Sequence, residues 1–195
     1  MMKEIIFATN NQHKLEEITT ITKDKIKLLS LKEIGFYEDI TETSATIEGN
    51  AIQKATYIFD RFAKECFADD TGLEVEALDG APGVWSARYA GENATYQENV
   101  IKLLDALKGT TNRKARFKTV IALKTNEETT TFEGIINGQI IETARGNSGF
   151  GYDPVFVPEG YEQTFAEMSS EQKNKISHRA LATIKLTNYL LNNLR

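Results

Sequence analysis

The chain has 195 residues, 41% of them hydrophobic and 26% charged, which is enough to bury a core and too apolar for disorder. Its 23 Lys and Arg against 28 Asp and Glu leave a formal charge of −5, with no basic tract to follow a phosphate backbone, so no nucleic-acid partner is expected. Cys66, the single cysteine, cannot close an internal disulfide, the start MMKEIIFATNN turns polar before a signal-peptide core develops, and no run reaches the roughly 18 apolar residues of a membrane span, which together predict a soluble, cytoplasmic protein.

The run from Glu4 to Ala8 reads as a strand, TNNQHK as a loop, and Leu15, Ile18 and Ile21 as the apolar side of a first helix. Ile47, Ala51, Ala55, Ile58, Phe59 and Phe62 place a longer helix on one stripe, slightly weakened by Gly49 in its first turn. CFADDTGLEVEAL predicts a strand, an acidic junction at Asp69-Asp70 and a second strand, followed by the tight loop DGAPG. Thr95 and Glu98 have capping-box spacing ahead of a helix from about Gln97 to Leu107. ARFKTVIALKT and TTTFEGII read as strands, with Asn137-Gly138 as a hairpin turn into QIIETA. After RGNSGFGYDPVFV, with three glycines ahead of a short strand, Ser169 and Gln172 open a helical stretch to the C-terminus, with Ile176, Ala180, Ile184 and Leu191 on its stripe. Strands and helices interleave without repeat or linker, so one α/β domain over residues 1–195 is expected, its mixed sheet flanked by helices.

Walker A, dinucleotide-binding, zincin and nucleophile-elbow motifs are absent, and two histidines (His13 and His178) with one cysteine make a Cys/His zinc site improbable. Cys66, inside an apolar run, reads as a core thiol. Four groups carry the remaining chemistry. Thr9, Asn10, Asn11, Gln12, His13 and Lys14 lie between a strand and a helix, where backbone N–H groups and a lysine make an anion cradle; an ordinary Asn-capped loop is the competing reading. Glu42, Glu48, Asp69 and Asp70 offer oxygens to a hard cation, and adjacent strand residues point to opposite sides, so Asp69 and Asp70 cannot share one role; plain turn chemistry competes here. Ser148 to Pro154 places Phe150 between glycines, able to stack on a planar base with Asp153 accepting a base N–H, or else to pack into the core. Lys173, His178 and Arg179 share a site only if the helix bends or breaks near Ile176-Ser177; otherwise they form a charged helical face.

Together these segments resemble the non-canonical purine nucleoside triphosphate pyrophosphatase family, the inosine/xanthosine triphosphate pyrophosphatases. The likeness runs nearly end to end through FATNNQHK, IEGNAIQKA, ADDTGLEVEALDGAPGVWSARYAGE, ARF, SGFGYDPVF and AEMSSEQKNKISHRALA, in the family's order. It implies Mg²⁺-dependent hydrolysis of ITP, dITP or XTP to the monophosphate and pyrophosphate, an elongated α/β fold of two lobes with a central cleft, and a homodimer. By matching position it gives the triphosphate to Thr9, Asn10, Asn11, Gln12, His13 and Lys14, and the metal to Glu42 and Asp70, with Asp70 also the base that activates water. It gives substrate contact to Thr71, the base to Phe150, Gly151, Tyr152 and Asp153, phosphate or base to Lys173, and the 6-oxo edge to His178 and Arg179. A triphosphate brings about four negative charges, so cleavage needs Mg²⁺ and cations such as Lys14, Lys173 and Arg179. Three positions depart from the family's usual pattern: His13 stands where Gly precedes the loop lysine, Gly49 where a second Glu is common, and Trp85 where Tyr is usual. The rival readings are a Maf-like pyrophosphatase of other modified nucleotides and a nucleotide-binding module without turnover.

Overall fold

The computed structural model describes residues 3–23 and 25–193. In chain order the elements are β1 (Lys3–Phe7), α1 (Gln12–Thr22), β2 (Ile26–Ser30), α2 (Ile47–Phe62), β3 (Cys66–Val75), β4 (Pro82–Gly83), α3 (Tyr96–Ala106), β5 (Lys114–Lys124), β6 (Thr129–Ile140), β7 (Phe156–Pro158), α4 (Ser170–Ile176) and α5 (His178–Asn193). The strands pair in the order β2-β1-β3-β5-β6-β7, with β4 on β3. β1 runs parallel to β2 and β3, whereas β3–β4 and β6–β7 are antiparallel, so the sheet is mixed as the interleaved pattern predicts. Among the described residues no helix is long and apolar enough to cross a membrane.

The chain divides into two compact units and passes between them at Asp70-Thr71, Lys118-Thr119, Gly134-Ile135 and His178-Arg179. The first holds β1, α1, β2, α2, the start of β3, Thr119–Gly134 and α5 from Arg179, around a core of Ile5, Phe7, Ile18, Phe67, Ile121 and Leu186. Phe7 and Phe67 stack with ring centroids 4.6 Å apart where β1 meets β3. The second holds Thr71–Lys118 and Ile135–His178, around Leu73, Leu103, Phe117, Tyr152, Phe156 and Phe165.

Local signals account for several element ends. Thr95 Oγ1 accepts from Glu98 N while Glu98 reaches back to Thr95 N, the reciprocal cap expected at α3. Thr46 caps α2 by accepting from Gly49 N, and a Cβ on residue 49 would lie 1.9 Å from Ser44 Oγ, so a side chain there requires Ser44 and the capping Thr46 to shift.

Three expectations are corrected. Asp69 and Asp70 are not a junction between strands, because β3 runs unbroken through both. Asn137-Gly138 is not a hairpin turn: β6 continues through it, the turn before β6 falls at residues 125–128, and Gly138 pairs with Pro158 of β7. The glycine is needed for close approach, since a Cβ there would meet Val157 O at 2.3 Å and the Phe156 ring at 2.6 Å. Gly138→Ala is accordingly expected to cost about 1–3 kcal/mol by overpacking, read as a lowered urea midpoint. An unchanged midpoint would show that β7 yields freely. Third, Ile184 and Leu191 of the expected C-terminal stripe are exposed, and Ala182, Leu186 and Leu190 are buried instead. The stretch is broken at Ser177, whose backbone is extended (φ −65°, ψ 153°), so α5 starts afresh and its phase does not continue from α4.

Candidate active site

β1 ends at Phe7 and α1 starts at Gln12, so the Asn-rich segment is the short connection the pattern predicts. Asn11 is the N-cap, its side-chain oxygen accepting from Lys14 N at 3.2 Å, and Thr9 Oγ1 accepts from Asn11 N at 3.1 Å. Asn10 instead turns away to donate to Glu38 O and to Asp39 Oδ1. His13 lies inside the first turn of α1, so no glycine-only conformation is demanded there. The helix N-terminus leaves backbone donors beside Lys14, the arrangement that receives an anion.

Lys14 Nζ reaches β3, donating to Asp69 Oδ1 at 3.1 Å. Arg179 is another partner of Asp69: its Nε donates to Oδ2 at 3.3 Å while its Nη1 pairs with Glu17 of α1. Asp69 and Arg179 are wholly buried. Burial alone would raise the Asp69 carboxyl, but Lys14 and Arg179 outweigh it and hold its pKa down at about 2. Burial lowers the Lys14 ammonium, with Asp69 only partly offsetting it.

Asp70 points to the other side of β3, as strand alternation requires, and meets α2. Asn50 Nδ2 donates to its Oδ2 at 3.3 Å, and Lys54 Nζ lies 3.6 Å from its Oδ1. Lys54 also pairs with Glu42, and Asn50 Oδ1 accepts from Ser44 N at 2.9 Å, tying the Glu42 loop to the helix. Burial pushes the Asp70 carboxyl above its ordinary value despite Lys54 and Lys14. Burial opposes the Lys54 ammonium, yet Asp70 and Glu42 together hold its pKa above the usual one. Glu48, the remaining acid of this group, sits apart, accepting from Thr131 Oγ1.

Glu42 and Asp70 thus converge on one cation. Among the described residues no three His, Cys, Asp or Glu side chains gather as ligands. That composition suits Mg²⁺, which takes one or two carboxylates and fills its shell with water and phosphate oxygens. The Lys54 ammonium is the stand-in showing that the pair accommodates positive charge.

The second unit holds another cluster. Lys173 Nζ donates to Asp153 Oδ2 at 2.6 Å, the same oxygen accepts from Phe150 N at 2.9 Å, and Lys173 Nζ lies 5.0 Å from the Phe150 ring centroid. The Tyr96 ring stands 5.9 Å from that of Phe150. Phe150 and Gly151 are partly exposed, whereas Tyr152 is buried and donates its hydroxyl to Ser86 O. Tyr152 is therefore a core residue, its phenol pKa raised by burial. His178 stacks on Phe117 at 4.5 Å and is likewise buried. Thr71 is the first residue of this unit, half-buried on β3.

The candidate residues are therefore gathered into two clusters, Thr9–Lys14, Glu42, Asp70 and Arg179 in the first unit and Phe150–Asp153, Lys173 and His178 in the second. The neighbours His178 and Arg179 part company at the start of α5. Lys54, Asn50 and Glu17 were not singled out by sequence. Lys54 had a signal: it lies three residues after Ala51 and four before Ile58, so it is a lysine on the buried stripe of α2.

The model of the Ham1 family matches residues 5–189. The chain is 53% identical over 189 residues to the dITP/XTP pyrophosphatase of Flavobacterium psychrophilum, covering 97% of this chain and 100% of that protein. It is 56% identical over 191 residues to the dITP/XTP pyrophosphatase of Porphyromonas gingivalis, covering 97% and 98%. Among solved structures it is similar to the Staphylococcus aureus Ham1 protein (TM-score 0.88, 42% identity, 97% and 98% covered) and to a Ham1 protein from Coxiella burnetii (TM-score 0.89, 40% identity, 97% and 99% covered).

Proposed function

Since the chain belongs to the Ham1 family, we propose that it is a Mg²⁺-dependent nucleoside-triphosphate pyrophosphatase that hydrolyses the non-canonical purine nucleotides dITP, ITP and XTP to monophosphate and pyrophosphate, clearing deaminated purines from the nucleotide pool. The observation that carries this reading is the paired-carboxylate centre, Glu42 and Asp70 converging on a cation, in the unit that also presents the α1 N-terminus and Lys14. Its two units act as one catalytic domain over residues 1–195.

The triphosphate is held by Thr9–Lys14, where backbone donors and the Lys14 ammonium offset its charge. Glu42 and Asp70 hold Mg²⁺, which supplies charge neutralisation and Lewis acidity at the phosphates. Asp70 accepts a proton from the attacking water as the new P–O bond forms, and the α–β anhydride bond breaks with pyrophosphate leaving. Asp69 stays ionised between Lys14 and Arg179, fixing the ammonium that meets the phosphates.

Base recognition falls to the second cluster. Phe150 offers its ring to a purine, with Gly151, Tyr152 and Asp153 shaping the turn that presents it, while Lys173, Thr71 and His178 complete the substrate contacts. Donors arranged for a 6-oxo group stay unpaired against a 6-amino group, which makes adenine costly to admit. Trp85, exposed with the Arg88 guanidinium 4.7 Å above its ring, provides the aromatic and cationic surface of a homodimer interface. The protein works in the cytoplasm.

The test is pyrophosphate release from ITP, dITP and XTP beside ATP and GTP, with Mg²⁺ and with EDTA. Release confined to the Mg²⁺ reactions and at least about a hundredfold greater in kcat/KM for the deaminated purines supports the reading. Equal slow cleavage of all five would point to another modified nucleotide, and no cleavage to a binding module.

A further inference from the structure

Taking Glu42 and Asp70 as the metal carboxylates, we propose that Lys54 is a built-in counter-ion that the metal must displace, so that Lys54 keeps metal affinity low until a nucleotide arrives.

Lys54 sits on the buried stripe of α2 with Ala51 and Ile58, its own exposure only 9%. A lysine placed there is costly unless its ammonium is paired, and two carboxylates do the pairing: Glu42 directly, and Asp70 through Oδ1 at 3.6 Å. The Asp70 carboxylate is also fixed independently of the lysine. Asn50, one turn earlier on the same helix, donates to the other Asp70 oxygen and accepts from Ser44 N beside Glu42. The ammonium therefore joins Glu42 to an Asp70 carboxylate that Asn50 already orients.

Mg²⁺ binds carboxylate oxygens at about 2.0–2.1 Å, so it needs the oxygens that Lys54 holds. The two cations compete for one pair of carboxylates. Local charge makes the competition balanced: Glu17, Glu42, Asp69 and Asp70 stand against Lys14, Lys54 and Arg179, four carboxylates to three cations. A divalent ion entering alone reverses that small negative excess and leaves the Lys54 ammonium unpaired in a buried place. A triphosphate entering with the metal supplies anionic oxygens for the displaced ammonium. Metal loading thus becomes coupled to nucleotide binding through one side chain.

The experiment measures Mn²⁺ binding without nucleotide by electron paramagnetic resonance, at one pH, for the wild type, Lys54→Met, Lys14→Met and Glu42→Gln. Lys54→Met is expected to tighten Mn²⁺ binding by about tenfold or more, the scale of one close charge pair. Lys14→Met, which removes an equal charge paired to Asp69 instead, should tighten it far less. Binding by Lys54→Met that is unchanged or weaker, while Glu42→Gln loses Mn²⁺, overturns the displacement and leaves the metal site standing. Equal tightening by Lys14→Met also overturns it, because bulk charge would then explain the gain. Unchanged binding by Glu42→Gln overturns the metal reading itself. A measurement on the unmutated protein guards against a Lys54→Met chain that fails to fold: acetic anhydride labelling of Lys54, read by mass spectrometry, should rise at Mn²⁺ concentrations that the resonance titration shows to saturate the wild-type site, and labelling that stays level or falls at saturation rejects the displacement.

Discussion

Asp70→Asn is expected to lower kcat for dITP by about a thousandfold while the protein keeps its fold. The loss has two sources, a proton acceptor for the attacking water and one of two metal oxygens, and each is worth orders of magnitude in hydrolases of this kind. The fold should survive because an amide occupies the same space, its one oxygen still accepts from Asn50 or Lys54, and Lys54 keeps its pair with Glu42. Removing a carboxyl that burial has pushed upward also relieves a desolvation cost, so thermal stability should hold or rise slightly. Single-turnover measurements at saturating nucleotide separate the two sources, since excess Mn²⁺ restores a weakened metal site and leaves a missing base missing. Wild-type turnover in this variant would remove Asp70 from the chemistry.

Arg179→Ala is expected to cost about 3–5 kcal/mol, a fall in Tm on the order of 10 °C. The guanidinium is buried at 2% exposure between Asp69 and Glu17, so deleting it takes a cation from two carboxylates at once and leaves the wholly buried Asp69 more dependent on Lys14. The resemblance gives this residue to the 6-oxo edge, a role that predicts lost selectivity with little lost stability. The neighbours it has within the first unit predict the reverse order of effects. Comparing Tm with the ratio of kcat/KM for ITP and ATP distinguishes them. An unchanged Tm with a collapsed ratio would restore base reading as its main task, and a large fall in Tm with the ratio intact makes it the brace of Asp69.

Much of this molecule is legible in its sequence where the controlling contacts are local. The α3 start follows from Thr95 and Glu98, whereas the break at Ser177 enters the sequence reading only as the condition for Lys173, His178 and Arg179 to share a site, beside a stripe that runs on through it. Strand alternation separates the roles of Asp69 and Asp70 even though a junction, not a continuous strand, was expected around them. The failures lie where distant residues decide. Asn137-Gly138 carries a turn signature, but Phe156 and Val157, nearly twenty residues on, demand the glycine. Spacing puts Lys54 on the buried stripe of α2, but nothing local names Glu42 and Asp70 as the carboxylates that meet it. The partners of Arg179 lie far away in the chain, at Asp69 and Glu17, and no spacing rule links them.

The four junctions between the compact units carry a further consequence for how such proteins can be cut and recombined. Neither unit is a contiguous stretch, so no single truncation yields either one whole. Moving the second unit whole between two relatives, and with it the proposed base-recognition residues, requires transferring Thr71–Lys118 and Ile135–His178 together. A crossover inside either segment mixes residues of one parent's base-recognition cluster or core with the other's.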